Sequence, residues 1–174
     1  CGGIAPLCGV SARDDIMGDN DEFMSGSTFA GTPAGCAAAI RTLQIFERDH
    51  IVDHARALGE MAADIMSGWS RYGIVRQARG NGLLLGVSFG KPESAAAEEQ
   101  DWWTARAVRG KMLEQGVWAI SDRQDTIRMY PALNMQEAVL REGLQIMEDA
   151  IRHVEAHGHT EGDAAAWPSG VAGF

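Results

Sequence analysis

Short apolar segments alternate along this chain with longer stretches in which apolar residues recur every three or four positions. The first pattern is typical of buried strands, and the second of helices with one buried face. The clearest helical stretch lies near the C-terminus, where one face is formed by Leu140, Leu144, Met147, Ile151 and Val154. Because segments of the two kinds alternate, the sequence predicts a fold of the α/β class, or a related α+β arrangement.

The boundaries of these segments follow from the patterns and from the glycines and prolines between them. Strands are predicted at residues 7–12, 74–77, 83–89, 117–120 and 126–130. Helices are predicted at residues 13–17, 33–48, 50–71, 97–115 and 134–157. The residues after His157 are rich in Gly, Ala, Ser and acidic side chains, so a flexible tail is expected at 158–174.

Three local signals sharpen these boundaries. Thr32 before Pro33 predicts a helix start, since the Thr side chain can accept a bond from a helical N–H and Pro suits the first helical position. Asn134 with Glu137 resembles a capping box that opens the last helix. The segment Arg79-Gly-Asn-Gly predicts a tight turn between the two strands of a hairpin.

The composition argues against several classes of function. The formal net charge of -9 opposes binding to a phosphate backbone, so no nucleic-acid partner is expected. No apolar run approaches the roughly 20 residues that span a bilayer, and the N-terminal residues do not resemble a signal peptide, so we expect no membrane association and a cytoplasmic protein. No metal site is predicted, because the cysteines are scattered and the histidine pairs lack a third ligand. These pairs are His50 with His54 and His153 with His157.

Two features could bind an anion. The run Ser25-Gly-Ser-Thr, ahead of a predicted helix, supplies hydroxyl and backbone N–H donors, although the same residues equally suit a polar loop. Arg128, in a short predicted strand, is placed for a bidentate contact with a carboxylate or for a surface ion pair. Trp102, Trp103 and Trp118 could line a pocket, but their positions favour core packing.

Four segments occur in a characteristic order: GGIAPLCGV, SGSTFAGTPAGCAAAIRTL, ARGNGLLLGVSF and TIRMYPALN. Together they resemble the class III, or ω-, aminotransferase family over about residues 1–155. The resemblance implies the C-terminal part of a fold-type I enzyme that uses pyridoxal 5'-phosphate. Residues 1–45 would close the large cofactor-binding domain and include an interdomain helix, and residues 46–157 would form the small α/β domain.

The resemblance also implies site residues. In the family the Thr of a Gly-Ser-Thr-Phe motif reaches the cofactor phosphate of the other subunit, which implies cofactor binding by Thr28, with Ser27 beside it, in a homodimer with shared active sites. The Arg before a Pro-Pro-Leu-like motif binds the substrate carboxylate in several members, which implies that role for Arg128. Arg79, in an Arg-Gly-x-Gly turn of the family, is interpreted as structural. The sequence departs from the family pattern, which usually has His, Asn and Pro, at Ser25, Thr32 and Ala132.

The lysine that binds the cofactor has no counterpart in this sequence. The two lysines are Lys91, in a Gly-Lys-Pro linker, and Lys111, on a predicted helix. In the family pattern the lysine stands just before the position of Cys1, so we expect it upstream of Cys1 and expect no catalytic residue in this chain. The chain would then be part of a longer enzyme or one piece of a split enzyme, and would be inactive alone.

The predicted activity is pyridoxal-phosphate-dependent transamination, in which an amino group moves from an amine or amino acid to a 2-oxo acid. A racemase, an aminomutase or a decarboxylase on the same scaffold is an alternative. A different alternative is the non-catalytic half of a split enzyme. The sequence does not identify the amino donor or the acceptor.

Overall fold

The fold comes from a computed structural model, which describes residue 5 and residues 7–17, 31–90, 101–121 and 125–158. The chain divides into two compact units, Cys1–Ile51 and Val52–Phe174. All strands in the described part of the chain belong to the second unit. No helix in the described ranges is both long and apolar enough to cross a bilayer.

The first unit contains two helices, α1 (Asp14–Met17) and α2 (Pro33–Arg48), both at their predicted positions. The strand predicted at residues 7–12 is wrong. These residues are mostly exposed and have no strand partner in the part of the chain that the structure describes. An apolar run becomes a strand only when its backbone groups find such a partner, and the sequence alone does not reveal whether one is present.

The start of α2 matches one half of its predicted signal. Pro33 lies in the first turn, but the Thr32 side chain makes no capping hydrogen bond. The Thr32 hydroxyl instead packs over Gly35, where an added Cβ would come within 2.9 Å of Oγ1. The predicted Thr32 cap is therefore wrong, and the helix start depends on the fixed dihedral of Pro33.

The second unit contains three longer helices and three strands. The first helix, α3 (Ile51–Ser67), begins at the boundary between the units and continues as a 3₁₀ turn at Gly68–Arg71. The remaining elements are β1 (Val75–Asn81), β2 (Leu84–Phe89), α4 (Asp101–Glu114), β3 (Thr126–Met129) and α5 (Glu137–His157). Each of these elements overlaps a predicted segment. The predicted strand at residues 117–120 is wrong, because it is reduced to one bridge, between Ile120 and Arg128.

The strands form one antiparallel sheet with β2 in the centre. In the hairpin that joins β1 to β2, Asn81 pairs with Leu84. The turn begins at Gly82, whose φ of 54° lies in the left-handed region that favours glycine. The turn predicted at residues 79–82 is therefore placed too early, because residues 79–81 keep their pairing with β2.

One face of this sheet, here called the apolar face, belongs to the hydrophobic core. Its residues are Ala78, Leu85, Val87, Phe89, Ile127 and Met129. The predicted apolar face of α5 is confirmed, since all five of its residues are buried in the same cluster. Each fully buried aliphatic or aromatic side chain contributes about 1.5–3 kcal/mol, so this cluster is the main source of stability of the second unit.

The start of α5 differs from the predicted capping box. The N-cap is Gln136, and no side chain caps the helix. The Met135 N–H donates to the Ala132 carbonyl at 2.9 Å, which forms a turn before the helix. The predicted cap at Asn134 is therefore wrong, because this turn places Asn134 two residues ahead of the position that could cap the first N–H groups.

Candidate active-site face of the sheet

Arg128 lies within β3, with a backbone neighbour on each side. Its N–H donates to the Ile120 carbonyl at 2.8 Å, and the Ile120 N–H donates to the Arg128 carbonyl at 3.1 Å. On the other side Arg128 is paired with Gly86 of β2. These contacts fix the direction of the side chain, which is half-buried. The sheet therefore holds Arg128 in the rigid way that a binding residue needs.

Arg128 shares its side of the sheet with other polar residues. Directly opposed residues of antiparallel strands project to the same side. The observed register therefore defines a polar face, which consists of Gln77, Arg79, Gly86, Ser88, Thr126 and Arg128. It is the reverse of the apolar face, so each strand has one side in the core and one side that carries the polar residues of this face.

A directed chain of hydrogen bonds crosses the polar face. The Thr126 hydroxyl donates to Asp125 Oδ1 at 2.8 Å, which uses its only hydrogen. The Ser88 hydroxyl must then donate to Thr126 Oγ1, also at 2.8 Å, and accept from Arg79 Nη1 at 2.8 Å. Arg76 pairs with the Asp125 carboxylate at the far end. The chain links all three strands and satisfies two buried hydroxyls that would otherwise be costly.

A cleft of about 570 Å³ lies beside Arg128. Its walls are residues 115–120, the residues that follow β3 and the first half of α5. Most of this lining is apolar, and its charged residues are Arg128 and Glu142. An apolar cleft of this size with a guanidinium in its lining suits a small organic acid.

The tryptophans occupy different environments. Trp118 lines the cleft and is 61% exposed, so the prediction that it packs in the core is wrong. Ala119 takes the buried position of this extended segment, which turns its neighbour Trp118 to the other side. Trp103 is half-buried, with the Arg106 guanidinium 5.5 Å from its ring centre. The side chain of Trp102 lies outside the described residues.

The predicted cofactor residues can be placed only in part. Ser27, Thr28 and Lys91 lie outside the described residues. Lys111 lies on α4, where its Nζ donates to the Glu114 carboxylate at 3.1 and 3.3 Å. Lys111 is the only lysine among the described residues, and its Nζ is engaged in this ion pair.

The histidine pairs make local contacts. His54 Nε2 lies 2.9 Å from the Met135 carbonyl oxygen, and His157 Nδ1 lies 2.9 Å from the His153 carbonyl oxygen. The rings of His153 and His157 stack with their centres 4.5 Å apart. Within the described ranges, no three His, Cys, Asp or Glu side chains come together as a metal site requires.

Most of the polar face is not evident from the sequence. The sequence patterns do not single out Ser88, Thr126 or Asp125, and they place Arg79 in a turn. One signal was available, since the sequence LLGVSF of β2 alternates apolar residues with small or polar ones. That alternation predicts two faces for β2, but only the register shows that Arg79 and Arg128, on the two neighbouring strands, lie on the same face as Gly86 and Ser88.

Comparisons with known proteins fit this geometry. The family model for class-III aminotransferases matches residues 1–151. An acetylornithine aminotransferase from Gloeobacter violaceus is 33% identical over 153 residues, which cover 84% of this chain and 34% of that protein. An ornithine aminotransferase from Emericella nidulans is 29% identical over 150 residues, which cover 86% of this chain and 32% of that protein. The chain thus spans about a third of the length of these relatives.

Solved structures agree with the sequence relatives. An acetylornithine aminotransferase from Elizabethkingia anophelis matches with a TM-score of 0.63 and 26% identity, over 82% of this chain and 34% of that chain. An ornithine δ-aminotransferase from Plasmodium falciparum has the same fold, with a TM-score of 0.66 and 23% identity over 84% of this chain and 35% of that chain. The predicted fold class, fold-type I of the pyridoxal-phosphate enzymes, is confirmed. Because the family match runs through both units of the fold and the structural relatives share that fold, the chain belongs to the class III aminotransferases.

Proposed function

We propose that the whole enzyme to which this chain belongs moves an amino group from an amine or amino acid to a 2-oxo acid. The observation that carries this proposal is the family match over residues 1–151. Relatives are named as ornithine, acetylornithine and 5-aminovalerate aminotransferases. These names agree on the reaction and differ in the amino donor, so the proposal specifies the reaction class and leaves the donor open.

The cofactor of this family is pyridoxal phosphate. When bound, it supplies the aldehyde that carries an amino group from one substrate to the next. We place its lysine and ring-binding residues in the part of the enzyme that precedes Cys1. For this chain we propose phosphate contacts from Thr28 and Ser27, which the family motif and the hydroxyl-rich run ahead of α2 both support.

Arg128 is the proposed substrate-binding residue of this chain. A guanidinium makes two parallel hydrogen bonds to a carboxylate, which fixes orientation as well as position. The backbone of Arg128 is held on both sides, and the cleft beside it has mostly apolar walls, which lower the local dielectric and so strengthen an ion pair. Donor and acceptor occupy the site in turn, so the same arginine would hold the carboxylate of the 2-oxo acid and that of an amino-acid donor.

Three further features stay predictions. A homodimer is supported by the motif at Thr28, which in the family reaches the phosphate of the other subunit. The domain boundary near residue 45 and the cytoplasmic location are supported by the sequence alone.

Product analysis of the full-length enzyme tests the reaction. The protein is incubated with ¹⁵N-labelled amino donors, with and without pyruvate or 2-oxoglutarate, and the products are identified by mass spectrometry. Transamination predicts label in alanine or glutamate and no turnover of the donor without a 2-oxo acid. Racemised or decarboxylated donor in the absence of a 2-oxo acid would contradict it and assign one of the alternative reactions.

A second measurement tests whether the active protein is a whole enzyme. Borohydride reduction followed by peptide mass analysis should place the reduced cofactor on a lysine just before the position of Cys1. An active protein in which the adduct lies on a separate polypeptide would instead assign this chain to a split enzyme.

A further inference from the structure

A row of paired residues crosses the sheet at Arg128. Arg79 of β1 pairs with Gly86 of β2, which pairs with Arg128 of β3. The three residues therefore project to the same polar face. The strand spacings of antiparallel sheets put the Cα atoms of the two arginines about 10 Å apart. Two arginine side chains thus extend from this face, on the two strands that flank β2.

The residue between the two arginines has no side chain. A Cβ added at Gly86 would meet Thr126 Cγ2 at 3.7 Å and the Ile127 carbonyl oxygen at 3.8 Å, which are ordinary contacts. The fold would tolerate a small side chain here, so backbone geometry does not demand glycine. Glycine places no side chain on the sheet between Arg79 and Arg128.

Arg79 has only neutral partners in the part of the chain that the structure describes. Its Nη1 donates to Ser88 Oγ at 2.8 Å and to Gln77 Oε1 at 3.1 Å. Several other arginines each lie within salt-bridge distance of a carboxylate, namely Arg13, Arg48, Arg56, Arg71, Arg76, Arg141 and Arg152. In a chain with a net charge of -9, an exposed arginine held by neutral groups is placed to bind an external anion.

The hydrogen bonds of Arg79 hold it ready for such an anion. Both of them use Nη1, so the Nε–H and Nη2–H groups remain to form the fork that binds a carboxylate. Ser88 is itself fixed by its bond to Thr126. The guanidinium is therefore partly immobilised before a ligand binds, which lowers the entropy cost of binding.

We propose that Arg79 is a second carboxylate-binding residue, so that a dicarboxylic substrate is held by Arg128 through one carboxylate and by Arg79 through the other. This inference rests on the proposed transamination and adds a residue that determines specificity. Arg79 touches the substrate away from the reacting carbon. It therefore affects which substrates bind, and it leaves the chemistry of monocarboxylic substrates unchanged.

The test compares dicarboxylic with monocarboxylic substrates in the full-length enzyme. The KM values of 2-oxoglutarate and pyruvate, and of glutamate and alanine, are measured for the parent, Arg79→Gln, Arg79→Lys and Arg152→Gln. Arg79→Gln should raise the KM of the dicarboxylic substrates about tenfold or more, because a charged hydrogen bond is lost, with less than about a twofold change for the others. Arg79→Lys should give an intermediate KM, since it keeps the charge and loses the fork. Arg152→Gln, a surface control on α5, should match the parent.

The other outcomes are equally decisive. Equal changes for both substrate classes, or no change, would overturn the role of Arg79, as would a parent enzyme that shows no preference for dicarboxylic substrates. A parent that transfers amino groups to neither acceptor, from any donor, would contradict the proposed function itself.

Discussion

The two faces of the three-stranded sheet are made by alternate residues of the same strands, yet they differ in polarity and in burial. The apolar face buries Leu85, Val87, Phe89 and Ile127 in the core. The polar face combines a buried hydroxyl pair with arginines that keep contact with solvent. The difference teaches that neighbouring residues of one strand have separate roles, one set in stability and the other in binding.

The largest expected effect is on the apolar face. Phe89→Ala removes a fully buried aromatic ring and should lower the free energy of unfolding by about 3–5 kcal/mol, because it leaves a cavity. Urea unfolding followed by circular dichroism measures this loss. Leu84→Ala, at the start of the same strand, is a matched control, since Leu84 is 65% exposed and its removal should change stability by less than about 0.5 kcal/mol. Equal losses for both variants would show that the apolar face is not the core.

The next effect comes from the close packing of α3 against the hairpin of the sheet. A Cβ at Gly59 would lie 2.6 Å from backbone atoms of Gly82, so Gly59→Ala should cost about 3 kcal/mol. In α5 a Cβ at Gly143 would meet nothing within 4 Å, so Gly143→Ala should instead add up to about 1 kcal/mol through helix propensity. Thermal unfolding measures the melting temperature of both variants against that of the parent. The packing account fails if both substitutions shift the melting temperature in the same direction.

A smaller effect on stability is expected on the polar face. Thr126→Val keeps the shape of the side chain but removes the acceptor of the Ser88 hydroxyl and the donor to Asp125, and should cost about 1–2 kcal/mol. Thr126→Ser keeps the hydroxyl and should retain most of that stability. Urea unfolding of both variants measures the difference. A valine variant as stable as the parent would mean that the hydrogen-bond chain contributes nothing to the fold.

The sequence predicts the apolar part of the fold better than the polar part, for physical reasons. The buried face of α5 is readable because helical periodicity repeats over many residues. The predicted caps at Thr32 and Asn134 are wrong, because the Thr32 hydroxyl packs over Gly35 and a turn places Asn134 ahead of the helix start. Arg128 is a candidate from its place in a short predicted strand, and the family motif assigns its role. The role proposed for Arg79 required the register of three strands, which is a long-range property that no local pattern contains.

The central claim is that the polar face binds the substrate carboxylate through Arg128. The most direct test measures kcat/KM of the full-length parent and its Arg128→Lys and Arg128→Gln variants with a 2-oxo acid and with an aldehyde of the same chain length. The account predicts a loss of roughly tenfold to a hundredfold with the 2-oxo acid, since a bidentate charged contact is broken, and an unchanged value with the aldehyde. The melting temperature of each variant should stay close to that of the parent. Equal losses with both acceptors would contradict the claim and would give Arg128 a structural role instead.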